Sequence, residues 1–89
     1  MLIALVAKDK PGALQTRLDN REAHLAYIQD TGLVAMAGPL IEDGAMCGSL
    51  IVLDVTDMAQ AQDWAKGDPY AKAGLFQSVE LTEWRKVIG

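Results

Sequence analysis

The chain has 89 residues, 51% of them apolar and 22% charged, and its twelve acidic against eight basic residues leave a net charge of −4. That length holds one domain, residues 1–89, and the apolar share is too high for a disordered segment. The acidic balance without a Lys/Arg cluster argues against a nucleic-acid partner, and the single Cys47 excludes an internal disulfide or a Cys-based zinc site.

The opening run Leu2 to Ala7 is uninterrupted apolar and predicts a buried strand, closed by Lys8-Asp9-Lys10-Pro11-Gly12. It lacks a basic leader and is too short to cross a bilayer, so no membrane partner is expected and a cytoplasmic location is the default, in keeping with one unpaired cysteine. From about Ala13 to Asp30 the pattern turns helical. Leu14, Leu18, Leu25 and Ile28 fall on one face, with Gly32 as a left-handed cap. Leu33 to Ala37 reads as a second strand stopped by Gly38-Pro39, and Glu42-Asp43-Gly44 as a hairpin turn. Met46 to Val55 is a third strand, dense in β-branched residues. Asp57 and Gln60 form a capping box for a helix from Met58 to Lys66, ended by Gly67. Asp68-Pro69 starts a short helical turn that stops at Gly74, and a last strand runs from about Leu75 to Val87.

The order is β-α-β-β-α-β, the split βαβ arrangement of a ferredoxin-like α+β domain with a four-stranded antiparallel sheet. Two helices cover one face of such a sheet, and a wet second face would demand alternation of apolar and polar residues. The first three strands do not alternate. A homodimer packed sheet to sheet, a dimeric α+β barrel, is the simplest arrangement that covers the second face; the alternative is a monomer with an exposed apolar face.

Several polar residues sit awkwardly on this plan. Arg21 falls inside the leucine stripe, with Arg17 and His24 on one flank of it. An arginine under a helix requires an anion or carbonyls, unless it snorkels to solvent. His24, three residues on, projects toward the same patch, and a backbone carbonyl could satisfy it equally well. Asp68 serves either as an N-cap or as the carboxylate that orients His24, because both helices lie on one side of the sheet. Gly48 permits a close approach of ligand or backbone, and the neighbouring Ser49 is either a hydrogen-bonding hydroxyl or an ordinary strand serine. With His24 the only histidine, no two-histidine metal site forms within one chain. No phosphate loop and no nucleophile elbow is present, and no cofactor is expected.

Arg21-Glu-Ala-His24-Leu25-Ala-Tyr27, Ala37-Gly38-Pro39-Leu40, Gly48, Asp68-Pro69-Tyr70, Ala73-Gly74-Leu75 and Trp84, in that order, resemble the YCII-related (YciI-like) family over nearly the whole chain. The resemblance implies a ferredoxin-like domain that dimerises through its sheets and carries a His-Asp pair in a pocket, here His24 and Asp68. Where chemistry is assigned in the family, it resembles dehydrochlorination of a chlorinated, hydroxylated ring with a serine assisting, for which Ser49 is the candidate. Arg21, Gly38, Pro39, Gly48 and Tyr70 are the substrate-binding candidates. The function so implied is a cofactor-independent lyase or isomerase using His24 for proton transfer on a small-molecule ligand. A non-catalytic small-molecule-binding module and a cofactor-free oxygenase of the same barrel type are the alternatives.

Overall fold

In the computed structural model, which describes residues 1–89, strand β1 spans Leu2–Asp9 and helix α1 spans Leu14–Thr31. Strands β2 (Val34–Glu42) and β3 (Ala45–Asp54) follow, then α2 (Met58–Gly67), the single turn α3 (Pro69–Lys72) and β4 (Phe76–Trp84). The sheet order is β2-β3-β1-β4 with every pair antiparallel. This is the ferredoxin-like α+β fold, with the helices on one face.

The core follows from strand alternation. Ile3, Leu5 and Ala7 of β1 and Ile51 and Leu53 of β3 point toward the helices and are buried with Val55, Ala61 and Trp64. Each of the isoleucine, leucine and valine side chains among them stabilises the fold by about 1.5–3 kcal/mol relative to leaving it in water. Two hydrogen bonds fasten α1 to α2 above this core. The Tyr27 hydroxyl donates to the Trp64 carbonyl at 2.8 Å, and the Trp64 indole N–H donates to Thr31 Oγ1 at 2.9 Å. Gly67 lies where a Cβ would strike the Tyr27 hydroxyl, so the same junction excludes a larger residue there.

Local signals explain most boundaries. Gly32 caps α1 with φ 65°, and Asp57 accepts from the Gln60 backbone N–H at 2.9 Å at the start of α2. The Gln60 side chain reaches back to the Thr56 N–H rather than to that of Asp57. Asp43 and Gly44 both have positive φ (51° and 77°), the two-residue hairpin geometry that matches strand twist.

Three expectations need correction. Gly38-Pro39 does not stop β2, which pairs through it as far as Glu42. The strand lies at the sheet edge, where a missing N–H can face away from the ladder. β4 ends at Trp84 rather than Val87, because Trp84 pairs with Leu2 and β1 offers nothing beyond it. The leucines of α1 do not form its buried face: Leu14, Leu18 and Leu25 are 43%, 47% and 47% exposed. The inward side is the flank carrying Arg17, His24, Tyr27 and Thr31.

The opposite face of the sheet carries Leu2, Val6, Leu50, Met36 and Trp84, with no helix over it. Met36, Leu50 and Trp84 are exposed there. The first three strands are thus apolar toward both sides, as their lack of alternation requires.

Candidate functional site

Four polar or charged residues are buried as a whole, Arg17 (3% exposed), His24 (6%), Ser49 (3%) and Asp68 (1%), and they lie in two linked groups. A residue spacing of seven puts Arg17 and His24 on the same face of α1, two turns apart. In the first group, Asp68 Oδ1 accepts from the Tyr70 backbone N–H at 3.0 Å and lies 2.7 Å from His24 Nδ1. The two roles considered for Asp68 are therefore not alternatives; one oxygen caps α3 and holds the imidazole. Tyr70 stacks on His24 with ring centroids 3.9 Å apart and planes 14° from parallel. The ring is thereby fixed in rotation by the carboxylate and in tilt by the phenol.

Holding Nδ1 leaves Nε2 as the nitrogen with no protein partner. No partnerless side-chain nitrogen or oxygen is sealed in the interior, so Nε2 meets open space. That space is a cavity of about 170 Å³ between α1 and the β2–β3 hairpin. Its polar wall is Arg17, Arg21, His24, Ser49 and Tyr70, and Leu25, Ile28, Pro39, Met46 and Ile51 supply most of the apolar wall. No carboxylate lines it. The volume falls below the roughly 300–1,000 Å³ typical of drug-sized ligands and suits about one substituted ring. A wider hollow of about 540 Å³ beside α2 and β4 is more open and has Lys66 as its one ionisable group.

The second group was invisible as a unit in the sequence. Arg17 forks onto Asp9, Nε to Oδ2 at 2.7 Å and Nη2 to Oδ1 at 2.9 Å, and the same Nη2 donates to Ser49 Oγ at 2.9 Å. The guanidinium carbon lies 4.8 Å from the Tyr70 ring centroid, which ties the two groups together. Burial works against the Arg17 charge, but the hydrogen bonds and attraction of Asp9 outweigh it and raise its pKa. Burial likewise pushes the Tyr70 phenol up, with Arg17 and Arg21 pulling the other way, so this hydroxyl keeps its proton at neutral pH.

Arg21, expected under the helix, is exposed; it lines the cavity and pairs with no carboxylate. The buried arginine is Arg17 instead. Gly38, Pro39, Ser49 and Tyr70 do line the cavity, whereas Gly48 does not. Its missing Cβ makes room for the Ala7 carbonyl oxygen of β1, so the close approach is that of backbone. Arg17 and Asp9 are the residues sequence reasoning missed; the seven-residue spacing to His24 was the available signal. No cluster of three His, Cys, Asp or Glu side chains forms that could hold a metal ion, and no helix is long and apolar enough to cross a membrane.

The profile of the YCII-related domain matches residues 1–85 of this sequence. The chain belongs to the YCII-related family. It is 36% identical to protein YciI of Escherichia coli O6:H1 over 97 aligned positions, covering 98% of this chain and 99% of that one. Among solved structures it is similar to TftG of Burkholderia phenoliruptrix, a 5-chloro-2-hydroxyhydroquinone dehydrochlorinase in complex with 2,5-dihydroxybenzoquinone. That likeness has a TM-score of 0.89 at 33% identity and covers 96% of this chain and 94% of the other. An antibiotic biosynthesis monooxygenase superposes with a TM-score of 0.60 at 12% identity, over 97% of this chain and all of the other, a likeness of fold alone.

Proposed function

We propose that this YCII-related protein is a small enzyme that transfers protons on an oxygenated ring, of which loss of hydrogen chloride from a chlorinated, hydroxylated ring is the favoured instance. The observation that carries the reading is the His24 imidazole itself. Its Nδ1 is held by Asp68, and its free Nε2 faces a cavity walled by two arginines and no carboxylate. Arg17 is paired with Asp9, so Arg21 is the uncompensated positive charge at this wall and favours an oxygen on which negative charge develops, and the geometry gives a base of fixed tautomer at the reacting atom. The likeness to TftG, a dehydrochlorinase, supports the ring chemistry.

In this mechanism His24 Nε2 takes a ring hydroxyl proton, and Asp68 stabilises the imidazolium formed. Charge gathers on the oxygen left behind, toward the side bearing Arg17, Arg21 and Ser49. The imidazolium then returns its proton to the chlorine-bearing carbon, giving a ketone. Removal of a second hydroxyl proton expels chloride and leaves a hydroxyquinone. Two protons leave oxygen, one reaches carbon and chloride departs, so the balance is loss of hydrogen chloride without an oxidant. The test is turnover of 5-chloro-2-hydroxyhydroquinone by His24→Ala. Loss of activity in a variant with unchanged near-ultraviolet circular dichroism is the expected result; wild-type turnover would end the reading.

The same proposal extends to assembly. The uncovered apolar face, with Met36, Leu50 and Trp84 exposed, fits a second copy packed sheet to sheet. The cavity lies on the helix side, so such pairing leaves it open.

A further inference from the structure

We propose that Arg17 is a positioning residue for the oxygen end of the ligand, acting through Ser49: its N–H occupies the serine oxygen and leaves the serine O–H as a donor into the cavity. This rests on the ring-ligand reading above and deepens it. A hydroxyl has one hydrogen and two lone pairs, and which way it works depends on its neighbours. Arg17 Nη2 donates to Ser49 Oγ at 2.9 Å, and an arginine has no lone pair with which to accept in return. Ser49 is therefore kept from donating to Arg17, and no protein atom takes its hydrogen. Ser49 lines the cavity, so an acceptor placed there by a ligand is what the hydrogen can meet.

Asp9 gives the arrangement its rigidity. Both of its oxygens bind Arg17, and the pair is buried, 3% and 6% exposed at the side chains. A forked guanidinium–carboxylate pair fixes a plane as well as a distance, which a lysine ammonium would not. The guanidinium charge also polarises the serine O–H, making it a stronger donor to an oxygen on which charge develops. Ser49 and His24 Nε2 then address a single ligand from two sides, one stabilising an oxygen anion and the other carrying its proton. The ligand class this fits is a hydroxylated ring whose hydroxyl becomes an oxygen anion as His24 takes its proton; a hydroxyquinone, a vinylogous acid that is anionic at neutral pH, mimics that state.

The test is a double-mutant cycle read on 2,5-dihydroxybenzoquinone, whose visible absorption reports hydrogen bonding to its oxygens. In the wild-type chain, Ser49→Ala is expected to weaken quinone binding about 10- to 100-fold, as for a hydrogen bond to a charged group, and to move the bound absorption band. The same substitution is then made in the Asp9→Asn/Arg17→Gln background, where no buried charge is left unpaired. There its effect should shrink to within about twofold, because the hydroxyl is no longer oriented. Equal factors in the two backgrounds would overturn the inference, since Ser49 would then act without Arg17. Should that pair variant fail to fold, Arg17→Lys replaces it. It keeps the charge beside Asp9 but not the fork, and should shift the absorption band as Ser49→Ala does; an unshifted band would overturn the inference. No binding by the wild-type chain would defeat the ring-ligand reading and this inference together. Binding that survives Ser49→Ala at full strength defeats only the latter.

Discussion

Asp68 offers the sharpest separation of structure from chemistry, because one of its oxygens does two jobs. Oδ1 caps α3 through the Tyr70 N–H at 3.0 Å and holds His24 Nδ1 at 2.7 Å, in a side chain 1% exposed. Asp68→Ala removes both. Loss of the cap costs about 1 kcal/mol, and a buried imidazole N–H without an acceptor costs about 1–3 kcal/mol more. The expected destabilisation is thus about 2–4 kcal/mol, and for a domain of this length each kcal/mol moves the midpoint by about 4–8 °C. Asp68→Asn keeps an oxygen in the same place, caps equally well, and puts an NH₂ where Oδ2 makes no bond to protein. Its stability should stay within about 1 kcal/mol of wild type, while proton transfer loses the charge that supports the imidazolium and slows by about 10²- to 10⁴-fold. Urea unfolding followed by the fluorescence of buried Trp64, beside turnover of 5-chloro-2-hydroxyhydroquinone, measures both quantities. Equal destabilisation by Ala and Asn would refute the two-job account. Full turnover by Asp68→Asn would refute the role of the carboxylate charge.

Gly48→Ala would place a methyl group on the Ala7 carbonyl oxygen, forcing β1 and β3 apart, and should cost about 1–3 kcal/mol in urea unfolding. If the proposed sheet-to-sheet dimer forms, Leu50→Lys on the uncovered face should convert it to a monomer in sedimentation experiments while leaving the secondary structure intact; a wild-type chain that sediments as a monomer, or a variant of unchanged mass, would remove that face as the contact. Burial raises the pKa of both tyrosines, with the Asp68 charge contributing at each, above their ordinary value of 10.0. The unfolded chain therefore releases these protons first, so stability should fall as pH climbs past about 10 toward the folded values. Absorbance of phenolate at 295 nm should accordingly rise together with unfolding rather than before it; ionisation in the intact fold near pH 10 would contradict the shift.

The legible parts of the fold were those set by local chemistry. Gly32, Asp57 with Gln60, Asp43-Gly44 and Asp68-Pro69 each ended or began an element where backbone conformation required it. What failed was each time decided by a neighbour distant in sequence, although the His24–Asp68 contact across 44 positions was among the arrangements the sequence allowed. Gly38-Pro39 reads as a stop until β2 is known to be an edge strand, and β4 reads as longer until its partner β1 is seen to run out at Leu2.

The rotation of α1 is the most informative failure, because the rule that misled is sound elsewhere. A helix turns its apolar stripe inward when no other orientation stabilises the fold as much as burying that stripe. Here Leu14, Leu18 and Leu25 are left half in water, and an arginine and a histidine go under the helix. Burying Arg17 alone would cost several kcal/mol, yet Asp9 and Ser49 bind it through three short hydrogen bonds, and Asp68 does the same for His24. With each polar group satisfied, that cost largely disappears. A helical wheel weighs each side chain by its own affinity for water and cannot contain these partners, since Asp9, Ser49 and Asp68 come from three other elements. The stripe that looked like the core is instead the surface left over when the helix is turned to deliver an arginine and a histidine to a cavity. Replacing Arg17 and His24 with leucine together with their partners, Asp9 by leucine and Asp68 by asparagine, leaves no buried carboxylate unpaired and should therefore yield a protein about as stable and without the proposed site; a large loss of stability would make the polar pairs, rather than function, the reason for the orientation.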